Sequence, residues 1–232
     1  MWFSYDSGFI KMRKNLFVFV IIIIGLVSVM FLFLSCNHSL IYKPNREWHF
    51  EIKFSNSSII DTLILKTYDE TWKYTQKKIE YIYNVKNDTS GGYSIHTGIT
   101  GVIDRQNCLF LTSEIWIHPP RTGNLRVTEL LPFPWIKFPI RINQTNDWEL
   151  TPKAGWEDFE GKKITGKIHV TRKILFENSA VKDSCWVLEC IGKSEIGEFK
   201  SLYYFSEKYG FVYFFYDMNQ YQIELIPIFI KL

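Results

Sequence analysis

Residues 48–54 read Trp-His-Phe-Glu-Ile-Lys-Phe, so that an apolar side chain alternates with a polar one along the whole stretch. In an extended chain successive side chains point to opposite faces, which gives this stretch one apolar and one polar face. The same period of two recurs in residues 79–85, Ile-Glu-Tyr-Ile-Tyr-Asn-Val. Both segments are therefore predicted to be β-strands that each lay one face on a core.

Further segments combine β-branched and aromatic residues and are bounded by turn residues, which is typical of strands. They are residues 59–66, 93–103, 108–117, 162–172, 185–191, 199–205, 211–216 and 221–229. Residues 211–216, Phe-Val-Tyr-Phe-Phe-Tyr, are apolar on both faces, which predicts a central strand covered on both sides. A short helical turn fits residues 69–73, but no long helical stripe follows residue 34.

A proline-punctuated segment separates two groups of predicted strands. Its prolines are Pro119, Pro120, Pro132, Pro134 and Pro139. Proline lacks the N–H that a strand ladder needs, so this segment is not a central strand. Its many apolar side chains predict that it packs across the sheet or covers a cavity mouth, and the two strand groups are then halves of one curved sheet.

The fold expected is all-β, a large bent antiparallel sheet or half-barrel preceded by an N-terminal apolar signal or anchor segment. Aromatic residues are expected on the concave face of such a sheet. They predict a site for a hydrophobic ligand or lipid there. Phe133, Trp135 and Phe138 of the proline-punctuated segment are the predicted ligand-binding residues.

The N-terminus has the pattern of an export signal. A basic segment, residues 11–14, precedes an uncharged apolar run, residues 16–34, which ends at Ser35-Cys36. This order predicts that the rest of the chain leaves the cytoplasm. Residues 32–36, Leu-Phe-Leu-Ser-Cys, resemble the lipobox of bacterial lipoproteins, although Phe33 stands where that family usually has leucine. The resemblance implies cleavage before Cys36 and lipidation of this cysteine.

Two other interpretations of the N-terminus stay open. The run 16–34 falls within the length of about 17–25 residues that spans a hydrocarbon core, so it fits an uncleaved anchor helix with the basic residues in the cytoplasm. In a eukaryotic secretory chain, the N-x-Ser/Thr triplets would mark glycosylated surface positions. These triplets begin at Asn37, Asn56, Asn87 and Asn143. Met12 also fits as the start of a shorter leader.

The predicted organisation is a signal peptide or membrane anchor at residues 1–35, a tether at 36–46 and a single β-rich domain at 47–232. The formal charge is +3, and two of these three excess charges come from Asp6, Lys11, Arg13 and Lys14 in the leader. A nearly neutral domain gives no basis for nucleic-acid binding. The expected contacts are a membrane, reached through a lipid anchor or a single helix, and a hydrophobic ligand or an envelope protein.

The chain carries no phosphate-binding loop, nucleophile elbow or His-Glu-x-x-His motif. We therefore predict a non-catalytic lipoprotein of the cell envelope without a cofactor or a metal site. The alternative is a structural or assembly partner in an envelope complex, anchored by an uncleaved transmembrane helix. His96, Cys108 and His118 lie on neighbouring predicted strands, and polar strand positions explain the two histidines without a ligand. Cys185 and Cys190 are five residues apart, so on one strand they face opposite sides and do not pair.

The stretch 203–212, Tyr-Tyr-Phe-Ser-Glu-Lys-Tyr-Gly-Phe-Val, resembles a recurring ending of exported lipoproteins of unknown function from Bacteroidetes-like bacteria. In these proteins a strand reaches a Ser-x-x-Tyr-Gly turn and a hydrophobic strand follows. More loosely, the predicted domain is similar to the LolA/LolB lipoprotein carriers. That similarity implies a strongly bent antiparallel sheet that cups acyl chains, and it assigns no functional residue.

Overall fold

A computed structural model describes residues 19–28 and 41–232, apart from 74, 87–91, 107–111, 154–155, 157–158, 196 and 220. Within these ranges twelve strands form one sheet. The strands are β1 Glu47–Phe54, β2 Ile60–Trp72, β3 Gln76–Lys86, β4 Tyr93–Arg105, β5 Glu114–Ile117, β6 Trp135–Lys137, β7 Thr145–Leu150, β8 Ile164–Glu177, β9 Lys182–Ser194, β10 Gly197–Ser206, β11 Gly210–Asp217 and β12 Gln222–Lys231. A 3-10 helix, Gly123–Leu130, lies between β5 and β6.

The sheet consists of two six-stranded meanders. The strand order is β6-β5-β4-β3-β2-β1-β12-β11-β10-β9-β8-β7, and each neighbouring pair is antiparallel. The first and last strands join the two meanders, with Glu47 opposite Lys231 and Phe54 opposite Ile223. The predictions of an all-β domain and of two strand groups that form one antiparallel sheet are confirmed.

The connection between β6 and β7 requires the sheet to bend. These strands follow one another in the chain but lie at opposite edges of the sheet. Twelve strands laid flat would be on the order of 50 Å wide, whereas residues 138–144 reach at most about 30 Å. Gln144 Nε2 donates to Lys137 O at 3.1 Å, which brings the two edges together at this end. Within the described sheet β6 and β7 do not pair, so the sheet remains open.

The core lies on the inner face of the bend and follows the period-two pattern. Trp48, Phe50 and Ile52 are buried, as are Ile79 and Tyr83, while their neighbours along the strands are more exposed. The aromatic strand β11 is covered on both sides as predicted, because Phe214 packs in the main core and Val212 packs with Val181 and Cys185 on the outer face.

The proline-punctuated segment runs across the inner face of the sheet. The carbonyl of Pro132 accepts a hydrogen bond from the Tyr203 hydroxyl at 2.6 Å. Its ring lies against β8 and β9 at Gly166 and Gly192, where an added Cβ would approach Pro132 to 2.7 and 3.1 Å. The glycine at position 166 leaves room for this approach, so the segment fills the concave face over β8, β9 and β10.

The structure corrects several local predictions. Residues 69–72 belong to β2, whose register shifts between Thr67 and Thr71, and they form no helical turn. The described part of the strand predicted at 108–117 is only Glu114–Ile117. The strands β6 and β7 were not predicted. The short edge strand β6 contains a single period of alternation, and in β7 the polar residue Asn146 takes a buried position.

The N-terminal predictions lie mostly outside the described residues, Cys36 included. Residues 19–28 are helical. A membrane-spanning length of apolar helix does not occur within the described ranges. Ile41 and Tyr42, which fall inside the predicted tether 36–46, are buried in the core at 2% and 1% exposure.

Candidate functional site

One end of the bent sheet is closed by Ile41 and Tyr42. Both backbone N–H groups donate to Asp104 Oδ2 on β4, at 3.1 and 2.9 Å. On the far side, the Tyr42 hydroxyl accepts the N–H of Phe211 on β11 at 2.9 Å. Burial raises the pKa of Tyr42 far above its usual value. Two residues therefore bridge the space between β4 and β11 and shut this end of the core.

The opposite end of the sheet has a cleft of about 500 Å³. It lies where β1, β3 and β11 end and where the 3-10 helix begins. Its lining residues are Phe54, Asn56, Ser57, Ile59, Asp61, Val85, Lys86, Gly123, Asn124, Val127 and Tyr221. This volume lies within the range of about 300–1,000 Å³ that small-molecule sites occupy. We call it the end cleft.

Apolar side chains form one part of the end cleft. Phe54 and Tyr221 stack with their ring centroids 5.8 Å apart, and Val127 of the 3-10 helix packs against the same core. The other part is polar and is held in place by hydrogen bonds. Asp61 is buried, and its carboxylate accepts the Tyr83 hydroxyl at 2.8 Å and the Lys86 N–H at 2.9 Å.

The pKa is raised for two tyrosines here, Tyr221, which lines the end cleft, and Tyr83, which donates to the lining residue Asp61. Burial, with a smaller contribution from the nearby Asp61 charge, raises the pKa of Tyr221 to about 12. Burial and Asp61 raise the pKa of Tyr83 still further. Both phenols are therefore neutral at physiological pH and remain hydrogen-bond donors. An aromatic wall beside fixed polar groups suits a ligand that has an apolar part and a polar part.

An ionic cluster of the buried His118 and Glu129 with the exposed Arg121 ties together two parts of the proline-punctuated segment. Glu129 Oε1 contacts Arg121 and lies 3.4 Å from His118 Nε2. His118 Nδ1 lies 3.0 Å from Pro119 O, and the imidazole packs 4.9 Å from the ring of Phe133. Because Glu129 and His118 are buried and belong to different parts of the segment, the cluster holds the path of the segment across the sheet.

The three aromatics predicted to bind a ligand do not line the end cleft. Phe133 stacks with Trp116 and meets Trp148 edge-on at 5.5 Å. Trp135 donates its indole N–H to Glu114 at 2.9 Å, and Phe138 meets Phe205 edge-on at 6.1 Å. All three pack against the main core.

The histidines singled out in the sequence are not brought together. His96 is exposed on β4, His118 is buried after β5, and Cys108 lies outside the described residues. Throughout the described ranges, no group of three or more His, Cys, Asp or Glu side chains is placed to hold a metal ion. Cys185 and Cys190 are free, buried and on opposite faces of β9, as their spacing predicts.

A second groove, of about 630 Å³, lies on the outer face of β7, β8 and β9. Its charged lining residues are in ion pairs, with each other or with neighbouring side chains. Lys167 faces Asp147 at 3.9 Å, and Lys163 faces Glu149 at 2.7 Å. Because these side chains are exposed and already paired, we consider the end cleft the better ligand site.

No protein-family model matches the chain, and no curated protein matches it. Two solved structures from Bacteroidetes are similar to it. A candidate lipoprotein from Parabacteroides distasonis is 13% identical with a TM-score of 0.49, and the match covers 84% of this chain and 99% of that chain. A candidate exported protein with a YmcC-like fold from Bacteroides fragilis is 8% identical with a TM-score of 0.43, covering 85% of this chain and 100% of that chain.

Proposed function

We propose that this protein is an exported, membrane-anchored binding protein without catalytic activity, and that it holds a small amphipathic molecule in the end cleft. The observation that carries the proposal is the contrast between the two ends of the core. Ile41 and Tyr42 shut one end, whereas the other end has a cleft with an aromatic wall and fixed polar groups.

The space that the proline-punctuated segment occupies inside the sheet limits how large a ligand can be. Pro132 packs on Gly166 and Gly192 and its carbonyl accepts the Tyr203 hydroxyl, so the chain itself fills the concave face over β8, β9 and β10, and a ligand is expected at the end cleft instead. A ligand of the end cleft places its apolar part on Phe54, Val127 and Tyr221. Its polar head then lies near Lys86 and Asn124, which are lining residues of the same cleft.

We expect the Val127→Trp substitution to abolish binding of a short-chain amphiphile. Val127 is only partly buried at the cleft wall, so an indole there occupies the cleft without entering the packed core. Decanoate titrated into the wild-type protein should give saturable heat in calorimetry, and the Val127→Trp protein should give none.

The matched control is Ile142→Trp, which places the same indole at an exposed site in the connection between β6 and β7. This variant should bind decanoate like the wild type. Equal binding by all three proteins, or no binding by the wild type to any of a panel of amphiphiles of this size, would reject the end cleft as the site.

Membrane anchoring through a lipid on Cys36 is tested separately. If Cys36 is acylated, the intact mass of the membrane-extracted protein should correspond to a chain that begins at Cys36 and carries added acyl mass. The Cys36→Ser variant should lose this modification, because serine has no thiol to carry the acyl chains. A wild-type mass that includes residues 16–34 would instead support an anchor helix.

A further inference from the structure

Strand β4 has a long open edge. On one side it pairs with β3 from Tyr93 to Val102. On the other side it pairs with β5 only from Val102 to Arg105, and the N–H of His118 then extends this contact by one bond to the carbonyl of Gly101. Across the described ranges, no strand pairs with this second side of residues 93–99.

The backbone groups on this edge are arranged to accept another strand. In an antiparallel ladder, alternate residues direct both their N–H and their C=O to the same neighbour. Gly101 directs its carbonyl toward the β5 side, so Tyr93, Ile95, Thr97 and Ile99 direct their backbone groups there too. Each of these four residues offers one donor and one acceptor at the open edge.

The side chains of this edge lack the usual protection. Exposed edge strands generally carry lysine, proline or a bulge that prevents another strand from pairing. Residues 93–99 read Tyr-Ser-Ile-His-Thr-Gly-Ile, without a lysine, a carboxylate or a proline. Tyr93, Ile95 and Ile99 are 59%, 65% and 48% exposed. Such an edge is suited to being covered by a further strand.

We propose that the partner is a second copy of this chain, with β4 paired antiparallel to β4 about a two-fold axis at His96. In this register Tyr93 faces Ile99 of the other copy, Ile95 faces Thr97, and His96 faces His96. The backbone N–H and C=O groups of all four open-edge residues are then hydrogen-bonded. The apolar side chains of Tyr93 and Ile99 meet in an aromatic–β-branched pair.

The neighbouring symmetric registers are poorer. A two-fold axis at Thr97 would set Tyr93 against Gly101, whose carbonyl already accepts the His118 N–H. An axis at Ile95 would leave Ile99 beyond the start of β4 in the other copy. The register centred on His96 alone uses the whole open stretch and nothing outside it. In this register the exposed side chains of Tyr93 and Ile99 cover one another in both copies, which favours a second copy over an unrelated strand.

The test is cross-linking of the full chain in its membrane. Directly opposed residues that do not share ladder hydrogen bonds have Cα atoms about 4.5 Å apart, which is within the range of about 4.4–6.8 Å that a disulfide needs. Oxidation of the His96→Cys variant with copper phenanthroline should therefore convert most of the chain to a disulfide-linked dimer.

Ser94→Cys is the matched control. Its two cysteines would be about 13 Å apart, four strand positions, and should give no more dimer than the wild type, whose own cysteines set the background. Adding Thr97→Pro to His96→Cys should abolish the dimer. The Thr97 N–H points away from β3, so proline removes a donor from the open edge only, and an unchanged thermal midpoint would verify the fold.

Three results would overturn the proposal. One is a His96→Cys variant that forms no more dimer than Ser94→Cys or the wild type. Another is a dimer that persists with Thr97→Pro in a folded protein. The third is His96→Cys linked to a chain of a different mass, which would assign the edge to another protein.

Discussion

Replacing Asp104 with alanine is expected to destabilise the folded protein by about 3 kcal/mol. The Asp104 carboxylate is 5% exposed and accepts the N–H groups of Ile41 and Tyr42, and Gln106 donates to its other oxygen at 3.0 Å. Alanine leaves two buried N–H groups without an acceptor, at about 1–3 kcal/mol each. Urea denaturation followed by tryptophan fluorescence measures the change in the free energy of unfolding.

Two controls make this result specific. Asp104→Asn keeps one oxygen as an acceptor, so it should lose less stability than alanine. Asp147→Ala removes a carboxylate that is 89% exposed in its side chain and should change stability by less than about 0.5 kcal/mol. If Asp104→Ala were as stable as Asp147→Ala, the closure of this end by residues 41 and 42 would not contribute to the fold.

The second large effect is expected in alkali. Tyr42, Tyr203 and Tyr216 are buried, and burial raises the pKa of each phenol. The pKa of each phenol in the folded protein exceeds the unfolded value of about 10. The contribution of these tyrosines to the free energy of unfolding is therefore fully present below about pH 10. Above this pH the unfolded chain loses protons that the folded chain keeps, so stability falls as the pH rises toward the folded pKa. Each of these tyrosines should add about 1.4 kcal/mol per pH unit to the slope of this fall.

Two spectra recorded together measure this effect. Tyrosinate absorbance should rise in two stages, the exposed phenols first and the buried ones together with the loss of β-sheet circular dichroism. The Tyr203→Phe substitution should make the fall in stability less steep by about 1.4 kcal/mol per pH unit. Tyr93→Phe, at a 59% exposed position, should leave the slope unchanged. Titration of every tyrosine near pH 10 with the sheet intact would contradict the burial of these phenols.

Local pattern was enough to predict most of the strands. An alternating segment such as 48–54 carries its own evidence, because the period of side chains depends only on the extended backbone. The proline-punctuated segment could also be predicted to pack on the sheet, since so many apolar side chains next to prolines suit neither a strand nor free solvent. The pattern does not predict strands β6 and β7, because they are short and lie at the two edges of the sheet.

The end cleft and the closed end could not be predicted in this way. The cleft is assembled from the β1–β2 turn, the end of β3, the 3-10 helix and the β11–β12 turn, which are brought together only by the bend of the sheet. Tyr42 similarly reaches Phe211, which is 169 residues further along the chain. Asn56, Lys86 and Asn124 are common polar residues, so no single one of them signals a site.

The sequence alone therefore determines the strand period, the class of fold and the apolar character of residues 16–34. Each of these depends on neighbours a few positions apart. The tertiary structure decides the pairing of β1 with β12, the closing of one end by Ile41 and Tyr42 and the opening of the other. These features depend on contacts between distant segments, whose relative positions are set by the bend of the whole sheet and by the volume that the segment around Pro132 fills within it.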